Sequence, residues 1–315
     1  MLYFQSIITI GTINIIMIIG LAILTGYTGL FSLGNVGFMM IGAYASVIVQ
    51  RYLHMPYLLS LIAGGLAAMT AGFLIGFPAV RSKLKGDHFA IAMLGFANAI
   101  RVIISNTKNR YVNGALGIMN IPKITNMWWA LGIAAVIIWM LSNYVHSAYG
   151  RNCRAIREQE VAAEIMGIQV SRTKLYSVLI NGFCTGMGGG MFAFYTTIIQ
   201  PGMFAQNLSS NHLIAVVFGG INSIVGPVMA SFLLAILPEM LRFISKWRLV
   251  IYGVLIVTIM LVRPEGLLGY KELSFKWVGK LCRGEYDLKR LPANAKARFK
   301  AMFTKKDSNE GGGGD

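Results

Sequence analysis

Charged residues are scarce in this sequence and absent from its first fifty positions. Only 13% of the 315 residues are charged, against 56% hydrophobic residues, and the mean hydropathy is +0.62. The first charge is Arg51, although about 20 apolar residues suffice to cross a bilayer. This deficit excludes an ordinary soluble domain and predicts two spans before Arg51. Residues 1–50 also lack the basic start and cleavage site of a signal peptide, so the first segment is predicted to be a retained span.

Residues that carry enzyme chemistry are also few. The three cysteines lack metal-ligand spacing and predict no disulfide, and the four histidines, at positions 54, 88, 146 and 212, are scattered. The sequence contains no nucleotide-binding G-x-x-x-x-G-K-[ST] motif and no paired carboxylate site. We therefore expect no enzyme activity, no metal and no cofactor in this chain.

Charge-poor runs predict a polytopic, all-α bundle of transmembrane helices with about nine spans, within a range of eight to ten. The weakest pair is 210–225 and 227–243, because Gly219, Gly220, Gly226 and Pro227 interrupt it and are also typical of a re-entrant or broken helix. The predicted spans are 7–25, 35–50, 57–80, 88–106, 127–145, 175–199, 210–225, 227–243 and 249–263.

The distribution of basic residues predicts the orientation. Of the 28 Lys and Arg residues, twenty fall in connections that this arrangement places inside and seven in connections outside. Basic residues concentrate on the cytoplasmic side of membrane proteins. The N-terminus is therefore predicted outside and the C-terminus inside, which also explains the net charge of +16 without nucleic-acid binding. We expect a transmembrane domain at 1–270 and a basic cytoplasmic tail at 271–315.

The polar loop 146–174 contains a segment with helical periodicity. On a helical wheel, Ala155, Gln159, Ala162 and Met166 share one face, with Ala163 beside them. Arg157, Glu160 and Glu164 lie on the opposite, charged face, and Gly167 is expected to end the helix. The pattern is also typical of an ordinary surface helix between two spans.

Glycines and isolated polar residues mark two further sets of positions. Gly182, Gly186 and Gly190 repeat at four-residue spacing, which favours close helix packing. Two Gly- and Ser-containing segments, an early one at 29–34 and a late one at 220–226, are typical of broken helices along a transport path. Ionisable residues at span ends are also functional candidates. The candidate path residues are Ser32, Gly34, Asp87, Gly220, Asn222 and Ser223.

Seven segments in order resemble the branched-chain amino acid (LivM-type) permease family of ATP-binding-cassette (ABC) importers. They are 26–34 (GYTGLFSLG), 42–44, 86–91, 150–167, 218–227 (FGGINSIVGP), 237–239 and 263–269 (RPEGLLG). Within 150–167, the pattern E-x-A-A-x-x-x-G resembles the EAA loop, the cytoplasmic coupling helix that docks onto an ATPase subunit. This resemblance implies a coupling role for Arg154, Arg157, Glu160, Ala162, Ala163 and Gly167. Asn35 stands where the family commonly has His.

The resemblance implies a location in the bacterial inner membrane and a set of partners. These are a second homologous permease subunit, two ATPase subunits and an extracytoplasmic substrate-binding protein. The substrate remains open among branched-chain amino acids, other amino acids, urea and short amides. An ion- or proton-coupled secondary transporter is the alternative, and it is expected to carry carboxylates near the membrane midplane. A membrane scaffold is a third reading, although it has no need for glycine-broken spans.

Overall fold

The computed structural model describes residues 2–82, 86–107, 111–220, 223–240 and 253. In this part of the chain the regular structure is helical, apart from one isolated antiparallel bridge between Ile118 and Ile199. The predicted all-α class is confirmed there. The helices are α1 (Leu2–Leu21, continued by the π-helix Ala22–Tyr27), α2 (Asn35–Leu53), α3 (Tyr57–Arg81), α4 (Gly86–Asn106), α5 (Met127–His146), α6 (Ala148–Glu158), α7 (Glu160–Ile165), α8 (Val170–Thr196), α9 (Gln206–Gly219) and α10 (Val225–Met240).

Six helices are long and apolar enough to cross a membrane. They are α1 with its π-helical end, α2, α3, α4, α5 and α8, and they coincide with the first six predicted spans. Multi-pass membrane architecture is therefore confirmed within the described residues. The predicted span at 249–263 and the basic tail at 271–315 lie outside those residues.

Helices α9 and α10 form a hairpin. Helix α9 contains 14 residues, or about 21 Å at 1.5 Å per residue, whereas the hydrocarbon core is about 30 Å thick. Gly219 at the end of α9 packs directly against Gly226 at the start of α10. The length of α9 favours the broken or re-entrant form at 210–225, and α10 is described as far as Met240.

Helices α1 and α8 form the centre of the bundle. In each helix, 78% of the most apolar 18-residue stretch is buried inside the bundle. Helix α8 packs against α1, α2 and α3, and α1 also packs against α5, α9 and α10. In contrast, α3, α4 and α5 expose large apolar side chains, including Leu74, Ile91 and Trp139. Exposed apolar surface on this scale is typical of contact with lipid or with another membrane subunit.

Three helices meet at glycines. A Cβ on Gly64 of α3 would lie 2.6 Å from the Gly42 carbonyl oxygen of α2, and a Cβ on Gly186 of α8 would lie 2.9 Å from the Gly64 carbonyl oxygen. Gly182 likewise lies against Ala68 of α3, and Gly190 lies against Ser46 of α2. Because glycine has no side chain, the three backbones approach within a distance that alanine would not permit.

Candidate functional site

The 146–174 loop contains two helices where the sequence predicted one. The chain leaves α6 at Gln159, whose backbone is extended (φ −156°, ψ 106°), and re-enters a helix at Glu160. The helical wheel assumed an unbroken helix through Gln159, so its division into a small-residue face and a charged face is wrong. The faces of α6 and α7 are instead set by how each helix packs on the bundle.

Gly167 ends α7 in a Schellman motif. Its φ is +84°, its N–H donates to the Glu164 carbonyl at 3.0 Å, and the Ile168 N–H donates to the Ala163 carbonyl at 3.1 Å. A non-glycine residue is disfavoured in this left-handed conformation. The prediction that Gly167 stops the helix is therefore confirmed, while its role in coupling stays a prediction.

The two alanines of the E-x-A-A motif face opposite ways. Ala163 is buried at 3% exposure, in a small cluster with Ile156 of α6 and Val170 of α8. Ala163 therefore packs inside the chain, and its role in coupling stays a prediction. Ala162 is exposed, and it shares one apolar surface with its neighbours. We call this surface the α7 face, and it consists of Val161, Ala162, Ile165 and Met166, with Ile165 and Met166 each 80% exposed.

Glu160 pairs within the chain. Its Oε1 lies 2.8 Å from Nζ of Lys174, near the start of α8, and the Lys174 side chain is only 7% exposed. The sequence placed Glu160 on a charged face available to a partner protein. In the structure the carboxylate neutralises the buried Lys174 and links α7 to α8, and the role of Glu160 in coupling stays a prediction.

Arg154 and Arg157 project from α6 onto the chain segment that follows α1. The Arg154 guanidinium lies over the Tyr27 ring, 5.3 Å from its centroid. Arg157 donates a hydrogen bond to the Gly26 carbonyl, and its alkyl chain packs on Gly29. These two arginines therefore contact the bundle, and the 146–174 loop is joined directly to the end of the first span.

Residues 28–34 interrupt the helical path between α1 and α2. The π-helix Ala22–Tyr27 ends the first span, and α2 begins only at Asn35. Within this stretch, Ser32 and Gly34 are buried, and the Ser32 hydroxyl accepts a hydrogen bond from the Gly34 N–H. Such irregular backbone inside a membrane bundle is typical of transport paths.

The candidate path residues do not form one group. Gln206, the first residue of α9, donates to the Leu33 carbonyl, whereas Gly220 follows the last residue of that helix. The early and late Gly-Ser segments therefore lie at opposite ends of α9, about 21 Å apart. Ser223 is buried and accepts a hydrogen bond from the Gly226 N–H, which stabilises the hairpin turn.

The two remaining candidate path residues are Asp87 and Asn222. Asp87 is exposed in the first turn of α4, about 9 Å along the helix from Met93, which packs on Gly34. Its position fits a span end better than a buried path. Asn222 lies outside the described residues.

A chain of buried polar side chains connects α8, α2 and α9. Thr185 Oγ1 lies 3.0 Å from Asn35 Oδ1 and 3.2 Å from Asn181 Oδ1, and Asn35 Nδ2 lies 3.3 Å from His212 Nδ1. All four side chains are at most 2% exposed. We call Asn35, Asn181, Thr185 and His212 the polar cluster. Beside it, the Ser209 hydroxyl accepts a hydrogen bond from the Val36 N–H at 2.9 Å.

Sequence reasoning missed the polar cluster and Lys174. Asn181 and Thr185 are polar residues at i and i+4 within an otherwise apolar span, which places them on one helix face. That signal was available in the sequence. The partnership of these residues with Asn35 and His212 was not, because it depends on how α2 and α9 pack against α8.

The fold and these contacts can now be compared with known proteins. The family model for the permease component of branched-chain amino acid transport systems matches residues 3–260. This chain belongs to that family. It is therefore a multi-pass membrane component of a transport system and not an enzyme. No solved structure matches the chain.

Three curated relatives illustrate the range of the family. The chain is 30% identical to the high-affinity branched-chain amino acid permease LivM of Escherichia coli, over 89% of the chain and 73% of the relative. It is 22% identical to E. coli LivH, which carries the same description, over 85% of the chain and 94% of that relative. It is 29% identical to the guanosine ABC transporter permease NupP of Bacillus subtilis, over 72% of the chain and 70% of that relative.

Proposed function

We propose that this chain is one of two homologous permease subunits of an ATP-driven importer for branched-chain amino acids or a related small polar solute. Two ATPase subunits bind at its cytoplasmic side, and a soluble substrate-binding protein delivers the solute from outside. The names of the relatives support this proposal, since NupP is a guanosine ABC transporter permease, and LivM and LivH are permeases of a high-affinity branched-chain amino acid transport system. The α7 face is the structural observation that carries the proposal for this chain.

The α7 face fits the surface of a soluble partner. It belongs to a polar loop between spans, where the neighbouring Glu158, Gln159 and Glu164 are exposed to water. Four adjacent exposed apolar or small side chains in such a loop are costly unless another protein covers them. An ATPase subunit is the partner that this family's transport chemistry requires, because the sequence contains no nucleotide-binding motif of its own.

The contacts behind the α7 face indicate how ATPase movement reaches the transport path. Ala163 of α7 packs on Ile156 of α6, and Arg157 of α6 bonds the Gly26 carbonyl next to the helix break. A push on α7 is therefore transmitted through α6 to residues 26–34. We propose that this movement shifts residues 28–34, the interruption between α1 and α2, and so changes the transport path from outward-open to inward-open.

The described residues give no support to an ion-coupled secondary transporter. Such a transporter is expected to bury carboxylates within its spans. In the part of the chain whose side chains are described, no Asp or Glu is buried.

Ile165→Glu should separate the ATPase from the permease. Placing a charge at the centre of the α7 face should weaken association roughly 30-fold or more, as at interface hot spots. The full complex should be expressed from its own genes, and the ATPase that co-purifies with this chain should be measured. Ile165→Leu is the matched control, because it keeps the volume and polarity, and it should co-purify the ATPase normally. Equal recovery with Ile165→Glu would show that the α7 face is not the docking surface.

The orientation of the chain gives a second test. Ile118 pairs with Ile199, and Thr125 bonds Tyr57 at 2.8 Å, so these connections share one end of the bundle. The α6–α7 loop lies at the other end, against Gly26. We expect the first end outside and the second end, with the C-terminus, inside the cytoplasmic membrane.

Cysteine labelling of intact cells measures this orientation. In a chain without native cysteines, Leu116→Cys should react with an impermeant thiol reagent, since Leu116 is 63% exposed. Arg151→Cys, at an exposed position of α6 outside the α7 face, should react only after the cells are opened. Reaction of Arg151→Cys from outside would reverse the proposed topology.

A further inference from the structure

The polar cluster lies at the middle depth of the bundle. Asn181 and Thr185 flank the centre of the 27-residue helix α8, and Asn35, the first residue of α2, contacts Thr185. The start of α2 and the preceding irregular backbone are therefore held in the interior of the bundle. Helix α9 covers this point through Ser209 and His212.

The hydrogen bonds of the polar cluster fix which groups donate. The single Thr185 hydroxyl proton is shared between the amide oxygens of Asn35 and Asn181 in a three-centre hydrogen bond, so the Asn35 nitrogen faces His212 and donates to its Nδ1. A neutral His212 that accepts at Nδ1 carries its proton on Nε2. The tautomer is thus assigned from the network.

Two buried nitrogens of the polar cluster lack an acceptor among the described residues. They are Nε2 of His212 and Nδ2 of Asn181. Both are N–H donors, and both side chains are at most 2% exposed. Donors buried without a partner are rare, and such a donor is usually satisfied by an ordered water or by an acceptor atom of a ligand.

The start of α2 adds to this donor character. The first turn of a helix carries a partial positive charge, which favours a negatively charged or electron-rich group nearby. Among the described residues, none of the hydrogen bonds of the polar cluster involves a carboxylate, so nothing in it would repel such a group. Free N–H donors beside a helix start select a hydrogen-bond acceptor, in particular an oxygen of a solute.

We propose that the polar cluster is a solute-binding site in the transport path, where His212 and Asn181 donate hydrogen bonds to an acceptor oxygen of the passing solute. This proposal rests on the importer function proposed above and names a site for it. A carboxylate of an amino acid and a carbonyl of a nucleobase share the required chemistry. The carboxylate fits better, since it is charged and accepts at two oxygens.

Uptake by the complete transporter tests the site. The permease pair, ATPases and binding protein are reconstituted into vesicles, and import of radiolabelled leucine and of radiolabelled guanosine is measured. His212→Phe and Asn181→Leu remove the donors at similar volume, and we expect import to fall about tenfold or more, the effect of losing one to two hydrogen bonds.

Two control variants separate binding from a general effect of buried polarity. His212→Gln keeps an N–H donor at the end of the side chain and should restore most of the import. Ser231→Ala removes a different buried hydroxyl, on α10, that has no partner among the described residues, and it should import normally. A fall in leucine import alone identifies a carboxylate ligand, and a fall in guanosine import alone identifies a carbonyl ligand.

The outcomes distinguish this proposal from the proposed function. If the wild type imports a solute and both donor-free variants import it at the same rate, the polar cluster binds only buried water and the proposal is wrong. If the wild-type complex imports neither solute, the proposed importer function fails for these substrates and the site falls with it.

A labelling experiment covers variants that fail to assemble. In a complex without native cysteines, Thr185→Cys replaces the central hydroxyl with a thiol of similar size. The solute should slow its reaction with a small thiol reagent, whereas Thr9→Cys, buried in α1, should react at a rate that the solute does not change. Reaction at Thr185→Cys that is unaffected by solute, or no reaction in any state, would overturn the proposal.

Discussion

Gly186→Leu should prevent the chain from folding into a stable bundle. A Cβ at this position would already lie 2.9 Å from the Gly64 carbonyl oxygen and 3.1 Å from the Gly65 Cα. These neighbours are backbone atoms of α3, which cannot move aside as a flexible side chain can. Because α2 also meets α8 here, through Gly42, we expect a loss of stability greater than about 3 kcal/mol, the upper range for overpacked cores. Yield in the membrane and the thermal midpoint of the purified protein measure this loss.

Gly95→Leu is the matched control for this prediction. It also replaces a glycine within a membrane helix by leucine, but a Cβ on Gly95 would meet nothing within 4 Å. We expect a yield and a thermal midpoint close to those of the wild type. Similar behaviour of the two variants, whether both are stable or both are lost, would contradict the assignment of Gly186 to a three-helix contact.

Glu160→Ala should loosen α7 from the bundle and so reduce ATPase association. The substitution leaves the Lys174 ammonium without its partner at a position where the lysine side chain is 7% exposed. Breaking a buried ion pair on one side costs about 3–5 kcal/mol. We expect the lower end of this range, because the Glu160 side chain is itself 31% exposed. Co-purification of the ATPase and protease sensitivity of the 146–174 loop measure the effect.

The double variant Glu160→Ala/Lys174→Met decides what Glu160 does. It removes both charges and keeps a long apolar side chain in the Lys174 position, so α7 should return to its place and ATPase association should recover. If Glu160 instead contacts the ATPase directly, as the sequence alone indicated, the double variant will bind as weakly as Glu160→Ala. Recovery therefore supports an internal anchor, and continued weakness supports a contact with the partner.

The family match and the internal contacts of the 146–174 loop give complementary information. Membership of the family makes this chain the permease component of a transport system, and the coupling role of the loop is our proposal. The contacts of Arg157 with Gly26 and Gly29 give that segment a physical connection to the helix break. The proposed coupling thus depends on groups that a single chain positions before any partner binds.

Part of the site was predictable because it depends on local sequence. Gly167 ends α7 because only glycine adopts its positive φ without strain, and the sequence places it directly after the last helical turn. The opposite is true of Gln159, whose extended backbone divides α6 from α7. Helical periodicity continues through Gln159, so the pattern gave no sign of the break. It placed Ala163 beside Ala162 on one face, whereas in the structure Ala163 is buried and Ala162 is exposed.

The sequence by itself determined the class of the protein and the positions of its first six spans. Long runs without charge are sufficient for this, because a bilayer accepts only helices or closed barrels whose backbone hydrogen bonds are satisfied internally. Only the tertiary structure decided that Glu160 pairs with Lys174 and that Asn35, Asn181, Thr185 and His212 meet. Those pairings depend on where helices cross. The glycine repeat of α8 marks one side of such a crossing, but its partners Gly42 and Gly64 lie on other helices, which the spacing within α8 does not reveal.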